Sequence, residues 1–180
     1  MDDAIVTASP RSTRSRALTL VLFAIYALLL IGLVLFKFPF RYDAAAAGRV
    51  LNLIPFAGSF TATGTFRLSE VVDNVAIFVP FGVYLSLLTG EWSFGKKLVP
   101  IIATTIGFET IQYIFAIGRS DITDVIDNVL GGIIGVGIYA ASARIWGTKA
   151  DRIVNTAGVV LTAGVLMVSA LLLANTLGGR

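Results

Sequence analysis

Residues 17–36 read ALTLVLFAIYALLLIGLVLF, a run without a single charged side chain. The hydrocarbon core of a bilayer is about 30 Å thick, and a helix needs about 20 apolar residues to cross it. Signal-peptide cores are shorter, at about 7–15 residues. Lys37 and Arg41 also separate this run from the alanines at 44–47. We therefore interpret residues 17–36 as a retained transmembrane helix.

The composition of the whole chain agrees with a protein that lies largely in lipid. Its 180 residues are 56% hydrophobic and 14% charged, and the mean hydropathy is +0.86. Soluble domains carry about 25% charged residues. Cysteine and histidine are absent, which excludes disulfides, thiol nucleophiles, Ser-His-Asp hydrolysis, haem ligation and zinc sites built from these residues.

Four further apolar runs follow, at about residues 71–89, 98–117, 122–146 and 153–174. The sequence therefore predicts an all-α polytopic membrane bundle of about five transmembrane helices. We divide it into an N-terminal segment 1–16, a membrane domain 17–146 that contains a loop at 37–70, and an additional C-terminal helix within 147–180.

Basic residues predict the orientation of these helices. The net charge is +3, but the basic side chains flank apolar runs, which indicates membrane topology rather than nucleic-acid binding. A cytoplasmic N-terminus places most of them inside, in short segments beside span ends where the rule is most reliable. The inside set is Arg11, Arg14, Arg16, Lys96, Lys97, Arg144, Lys149 and Arg152. We expect a multi-pass protein of the cell membrane with an extracytoplasmic C-terminus and loop 37–70.

Acidic and amide residues interrupt the three middle runs near their predicted outer ends. They are Asn74 in the second run, Glu109 and Gln112 in the third, and Asp124, Asp127 and Asn128 in the fourth, with Arg119 between the last two. Charged groups at membrane depth cost about 2.5–3.5 kcal/mol on insertion scales and usually face the bundle interior. Two interpretations stay open: a ligand pocket near the outer leaflet, or a hydrogen-bond network that sets helix register.

Proline and glycine residues in these runs predict how the helices pack. Pro80 lies in the middle of the second run and should kink its helix. Gly131 and Gly135 form a GxxxG pattern in the fourth run, and small residues permit close helix approach. We expect them to pack within the chain.

Several short motifs resemble the VanZ-like family in order and spacing, over about residues 20–145. They are residues 49–56 (RVLNLIPF), 73–82 (DNVAIFVPFG), 109–112 (ETIQ), 119–121 (RSD) and 124–132 (DVIDNVLGG). The resemblance implies a glycopeptide-resistance accessory protein that lowers susceptibility to teicoplanin. It marks as signature positions Asn74, Pro80, Gly82, Glu109, Gln112, Arg119, Asp124, Asp127, Asn128 and Gly131.

Three functions are compatible with this sequence. The first is a non-catalytic protein that binds membrane lipids or a lipid-linked or lipid-anchored envelope component, with Asn52, Pro55 and Phe56 covering the pocket. The alternative is a membrane enzyme in which Glu109 with Asp124 or Asp127 supplies general acid and base catalysis. A third is a proton or ion pathway. We predict no cofactor and no metal site, although carboxylates and an amide are ligands that Mg²⁺ or Ca²⁺ accept; the oligomeric state stays open.

Overall fold

The computed structural model describes residues 13–36, 50–60, 63–117 and 119–178. Its helices are α1 (Thr13–Phe36), α2 (Leu68–Leu88), α3 (Phe94–Phe115), α4 (Ile122–Trp146) and α5 (Ala150–Gly178), and its strands are β1 (Val50–Asn52) and β2 (Arg119–Asp121). Three predicted segments lie wholly or partly outside the described residues. They are the cytoplasmic N-terminal segment (residues 1–12), the first part of the extracytoplasmic loop (residues 37–49) and the extracytoplasmic C-terminal residue Arg180. An all-α membrane bundle is confirmed.

Among the residues that the structure describes, the number of segments long and apolar enough to cross a membrane is four rather than the expected five. They are Ser15–Leu35, Leu68–Leu88, Phe94–Phe115 and Ile122–Leu171. The last has 50 residues and combines α4 and α5, because helical structure continues through the 3-10 turn Gly147–Lys149.

The chain nevertheless changes direction inside this long segment. Gly147 has φ 51 and ψ −126, a backbone conformation that glycine adopts without a Cβ penalty. The Tyr139 hydroxyl donates a hydrogen bond to Asp151 Oδ1 at 2.7 Å across the turn. In a straight helix these two residues would be about 18 Å apart, since each residue adds 1.5 Å. The α5 helix therefore folds back onto the bundle.

The most extensive helix contact joins α2 and α4. Glycines permit it: a Cβ on Gly131 would meet the carbonyl oxygen of Val75, and one on Gly135 would meet that of Val79. Gly82 of α2 approaches α4 in the same way. These residues share an interface within one chain, where small side chains allow two backbones to pack closely.

Apolar and aromatic side chains fill the centre of the bundle. Phe78 of α2 and Ile101 of α3 are fully buried and belong to one cluster with Phe108 and Val136. Many other large apolar side chains are exposed in the isolated chain, for example Leu28 and Val99. In a bilayer this surface faces lipid.

Next to Pro80, the α1 helix supplies a polar contact to the backbone of α2. Proline removes one helical N–H donor and disturbs the preceding turn. The Tyr26 hydroxyl donates to the carbonyl oxygen of Ile77 at 2.6 Å. A side chain of α1 is thereby hydrogen-bonded to the backbone of α2 within one turn of the proline.

Two short strands, which the sequence did not predict, tie the loop before α2 to the start of α4. They pair in parallel with the register Val50↔Arg119, Leu51↔Ser120 and Asn52↔Asp121. Each has three residues, too few for an alternating pattern to be legible. The pairing brings the loop beside the charged residues at the N-terminus of α4.

Candidate functional site

A polar cavity of about 100 Å³ opens at the N-terminal end of α4. We call it the acidic cavity. Its lining comprises Gly58, Ser59, Arg67, Glu70, Val71, Arg119, Asp121, Thr123, Asp124 and Asp127. The loop, the start of α2, β2 and α4 all contribute, so the site exists only in the folded bundle.

Asp121 connects the loop, α3 and α4. Its carboxylate caps α4 by accepting from the Thr123 N–H at 2.9 Å and also accepts from Asn52 Nδ2 at 2.9 Å. Its own N–H donates to Glu109 Oε2 at 2.8 Å, and Arg119 Nη2 lies 3.9 Å from its Oδ2. Asp121 is therefore a helix cap that also holds the loop and α3 in place.

The loop lies directly against these charged groups. The Phe56 N–H donates to Thr123 Oγ1 at 2.9 Å, and Phe56 adopts a left-handed conformation with φ 62. A Cβ on Gly58 would lie 2.5 Å from Asp121 Oδ2 and 2.7 Å from Arg119 Nη2. A larger residue at this position would have to displace these side-chain ends. Of the three loop residues expected to cover the pocket, Asn52 and Phe56 make these contacts, and Pro55 is exposed.

Asp124 and Asp127 line the same cavity on successive turns of α4. Asn74 Nδ2 donates to Asp124 Oδ1 at 2.8 Å and so links α2 to α4. Asp127 is only 2% exposed, and its Oδ2 has no hydrogen-bond partner in the part of the chain that the structure describes. A buried carboxylate oxygen without a donor is costly, which makes Asp127 the unusual group of the site.

The other predicted polar residues lie between helices rather than on the cavity wall. Gln112 Nε2 donates to the Val34 carbonyl oxygen at 2.9 Å, which joins α3 to α1. Asn128 Nδ2 donates to Thr105 Oγ1 at 2.9 Å, which joins α4 to α3. Glu109 is buried and contacts β2 through the Asp121 N–H.

The predicted layer therefore divides into two groups. Arg119, Asp124 and Asp127 line the cavity, as expected of a ligand pocket. The other four are absent from the cavity lining: Asn74, Gln112 and Asn128 make hydrogen bonds between helices, and Glu109 accepts one from β2. The first group has the position expected for a ligand pocket. The second group has the contacts expected for a hydrogen-bond network that sets helix register.

Several lining residues were not predicted as site residues. Arg67 donates to Glu70 Oε1 at 2.8 Å at the start of α2, and their i,i+3 spacing beside a span was the one available signal. Gly58, Ser59 and Thr123 carry no sequence pattern that distinguishes them. They line the cavity because the loop packs against the N-terminus of α4.

A second, mostly apolar groove of about 260 Å³ lies beside the acidic cavity. We call it the apolar groove. It is lined by Leu51, Leu53, Ile106, Glu109, Thr110, Tyr113, Ser120, Asp121, Ile122 and Val125. Asp121 lines both the groove and the cavity, so the two spaces are adjacent.

In the sequence, the carboxylates of the acidic cavity were also candidate metal ligands. Within the described ranges, no group of three or more carboxylates is arranged to hold a metal ion.

These features define a polytopic α-helical membrane protein with a charged cavity at one end of its bundle, beside a parallel strand pair. The chain belongs to the VanZ/LLP1 family, whose model matches residues 23–146. It is 43% identical over 143 residues to "Protein VanZ" of Enterococcus faecium, a match that covers 78% of this chain and 85% of that protein. No solved structure matches the chain. The VanZ-like resemblance is thus confirmed.

Proposed function

We propose that this protein is a non-catalytic component of the cell envelope whose acidic cavity opens at the outer leaflet. There it binds the polar part of a lipid-linked or lipid-anchored envelope component and lowers susceptibility to teicoplanin. The observation that carries the proposal is Asp127, a buried carboxylate with an unsatisfied oxygen in the lining of a small polar cavity. Ligand binding would supply the donor that this oxygen lacks.

The arrangement favours binding over chemistry. Arg119, Asp124 and Asp127 line the cavity and are the proposed direct contacts. Asn74 supports Asp124 through its amide, while Glu109, Gln112 and Asn128 hold the surrounding helices. Preorganised polar groups on rigid helices are typical of a recognition site.

Susceptibility testing in a glycopeptide-sensitive host provides the functional test. We expect the wild-type protein to raise the inhibitory concentration of teicoplanin selectively over that of vancomycin. Asp127→Asn should abolish the effect. Asp73→Asn is the matched control, because Asp73 is an exposed acid of α2 outside the cavity lining, and it should retain the effect. Equal responses from both variants, at equal expression, would contradict the role of the cavity.

The orientation is testable because the chain contains no native cysteine. Ala57→Cys places a thiol in the exposed loop near the cavity, and Glu91→Cys places one in the exposed turn between α2 and α3. In intact cells, a membrane-impermeant maleimide should label Cys at 57 and leave Cys at 91 unlabelled. The reverse pattern would show that the cavity faces the cytoplasm.

A membrane enzyme acting on a lipid-linked substrate is the second candidate. Two carboxylates, Asp124 and Asp127, share the cavity with Arg119, and paired acids can act as general acid and base. Glu109 is less suited, since its Oε2 already accepts from the Asp121 N–H. Comparing envelope lipids from cells that express wild type, Glu109→Gln or Asp127→Asn tests this alternative. Identical lipid profiles, together with a teicoplanin phenotype lost in Asp127→Asn, would exclude it.

A further inference from the structure

The charge of the acidic cavity is unbalanced. Its charged lining residues are the two arginines Arg67 and Arg119 and the four acids Glu70, Asp121, Asp124 and Asp127. Two more carboxylates than guanidinium groups therefore face this space. Arg67 donates to Glu70, and Arg119 Nη2 lies 3.9 Å from Asp121 Oδ2, so the arginines already have acidic neighbours.

This surplus disfavours an anionic ligand. A phosphate in the cavity would lie beside four carboxylates, and like charges repel. The arginines are also poorly placed to compensate, because both have acidic neighbours. The charged part of the ligand should therefore be positive.

We propose that the acidic cavity binds a primary ammonium group carried by an amphiphile, with Asp127 Oδ2 as its buried acceptor. The proposal deepens the proposed function and rests on it, because it names the chemistry of the envelope component that the cavity holds. An ammonium has three N–H donors and no acceptor, which complements a wall rich in acceptor oxygens. Asp127 is 2% exposed and its Oδ2 lacks a partner in the described structure, so it supplies an acceptor that is not already used.

The size and setting of the cavity agree with this assignment. A volume of about 100 Å³ is sufficient for a compact ammonium head. The described carboxylates are not arranged as a metal site, which favours an ammonium over a divalent cation. The apolar groove, which shares Asp121 with the cavity, offers an adjacent surface for a hydrocarbon chain, which favours an amphiphile over a free amine.

A head-group comparison on the purified full-length protein in lipid nanodiscs tests the assignment. The probes are hexylamine, hexyl phosphate and hexanol, which share one chain and differ in charge, together with methylamine and MgCl₂. We expect hexylamine to raise the midpoint of thermal unfolding in a saturable manner, methylamine to act more weakly, and the other three to have no saturable effect. Stronger stabilisation by hexyl phosphate, or equal stabilisation by MgCl₂, would overturn the proposal.

Matched variants assign the effect to the cavity. Asp127→Asn replaces a charged acceptor by a neutral one and removes a charge-assisted hydrogen bond, so it should weaken the apparent affinity for hexylamine about tenfold or more. Asp73→Asn should leave it unchanged. Unaltered binding in Asp127→Asn would refute the role of this carboxylate, and the head-group comparison on wild type decides the charge preference even if that variant fails to fold.

Amine binding and teicoplanin susceptibility are measured independently, so the ammonium site and the resistance function can fail separately. Saturable binding of hexylamine without any change in teicoplanin susceptibility would refute the resistance function and leave the ammonium site standing. A selective teicoplanin effect without amine binding would refute the ammonium site alone.

Discussion

Replacing Gly135 by alanine should separate α2 from α4. A Cβ at this position would meet the Val79 carbonyl oxygen and lie 2.9 Å from the Val83 nitrogen and 3.0 Å from the Gly82 Cα. These are backbone atoms, which cannot move aside as the end of a flexible side chain can. Overpacking of this kind costs about 1–3 kcal/mol, and because the helix backbones themselves must shift we expect the upper part of that range.

Gly137 of the same helix provides the matched control. A Cβ there meets nothing within 4 Å. Both alanine variants gain the same helix propensity, up to about 1 kcal/mol. The difference between their free energies of unfolding therefore isolates the clash at Gly135.

Unfolding of the purified protein in mixed micelles, followed by circular dichroism during titration with SDS, measures this difference. We expect Gly135→Ala to be less stable than Gly137→Ala by about 2–3 kcal/mol. Coincident unfolding curves for the two variants would show that α2 and α4 do not approach as closely as the structure has them, and the packing argument would fail.

Two further predictions concern buried hydrogen bonds. Thr105→Val removes the acceptor of Asn128 Nδ2. It should lower the free energy of unfolding by about 1–3 kcal/mol, the penalty for an unsatisfied buried polar group. The control is Thr110→Val at an exposed position of the same helix, which should lower it by less than about 0.5 kcal/mol in the same SDS titration. Tyr26→Phe removes the donor to the Ile77 carbonyl oxygen and should destabilise the protein by about 1 kcal/mol, while an unchanged unfolding curve would mean that this contact contributes nothing.

Hydropathy alone was sufficient to predict a helical membrane bundle, because the thickness of the bilayer sets the length of an apolar run that crosses it. It overcounted the separate segments: the structure joins α4 and α5 into one helical stretch of 50 residues. The two helices are joined by the 3-10 turn Gly147–Lys149, where the chain changes direction at Gly147, and hydropathy does not report such backbone geometry.

The polar layer was partly predictable. The cost of charge in lipid requires such residues to face inward, and this argument selected Asp124, Asp127 and Arg119, which line the cavity. It could not separate them from Gln112 and Asn128, because depth along a helix does not specify which neighbour a side chain meets.

The amino-acid sequence by itself determined that the chain is a helical membrane protein, where its apolar segments lie and which family it belongs to. These properties depend on the local length of apolar runs and on short motifs. Only the tertiary structure decided the strand pair 50–52 with 119–121, the placement of Gly58 against Asp121 and Arg119, and the isolation of the Asp127 carboxylate oxygen. Each of these joins residues far apart in the chain, and such contacts form only when the loop and the helices pack together.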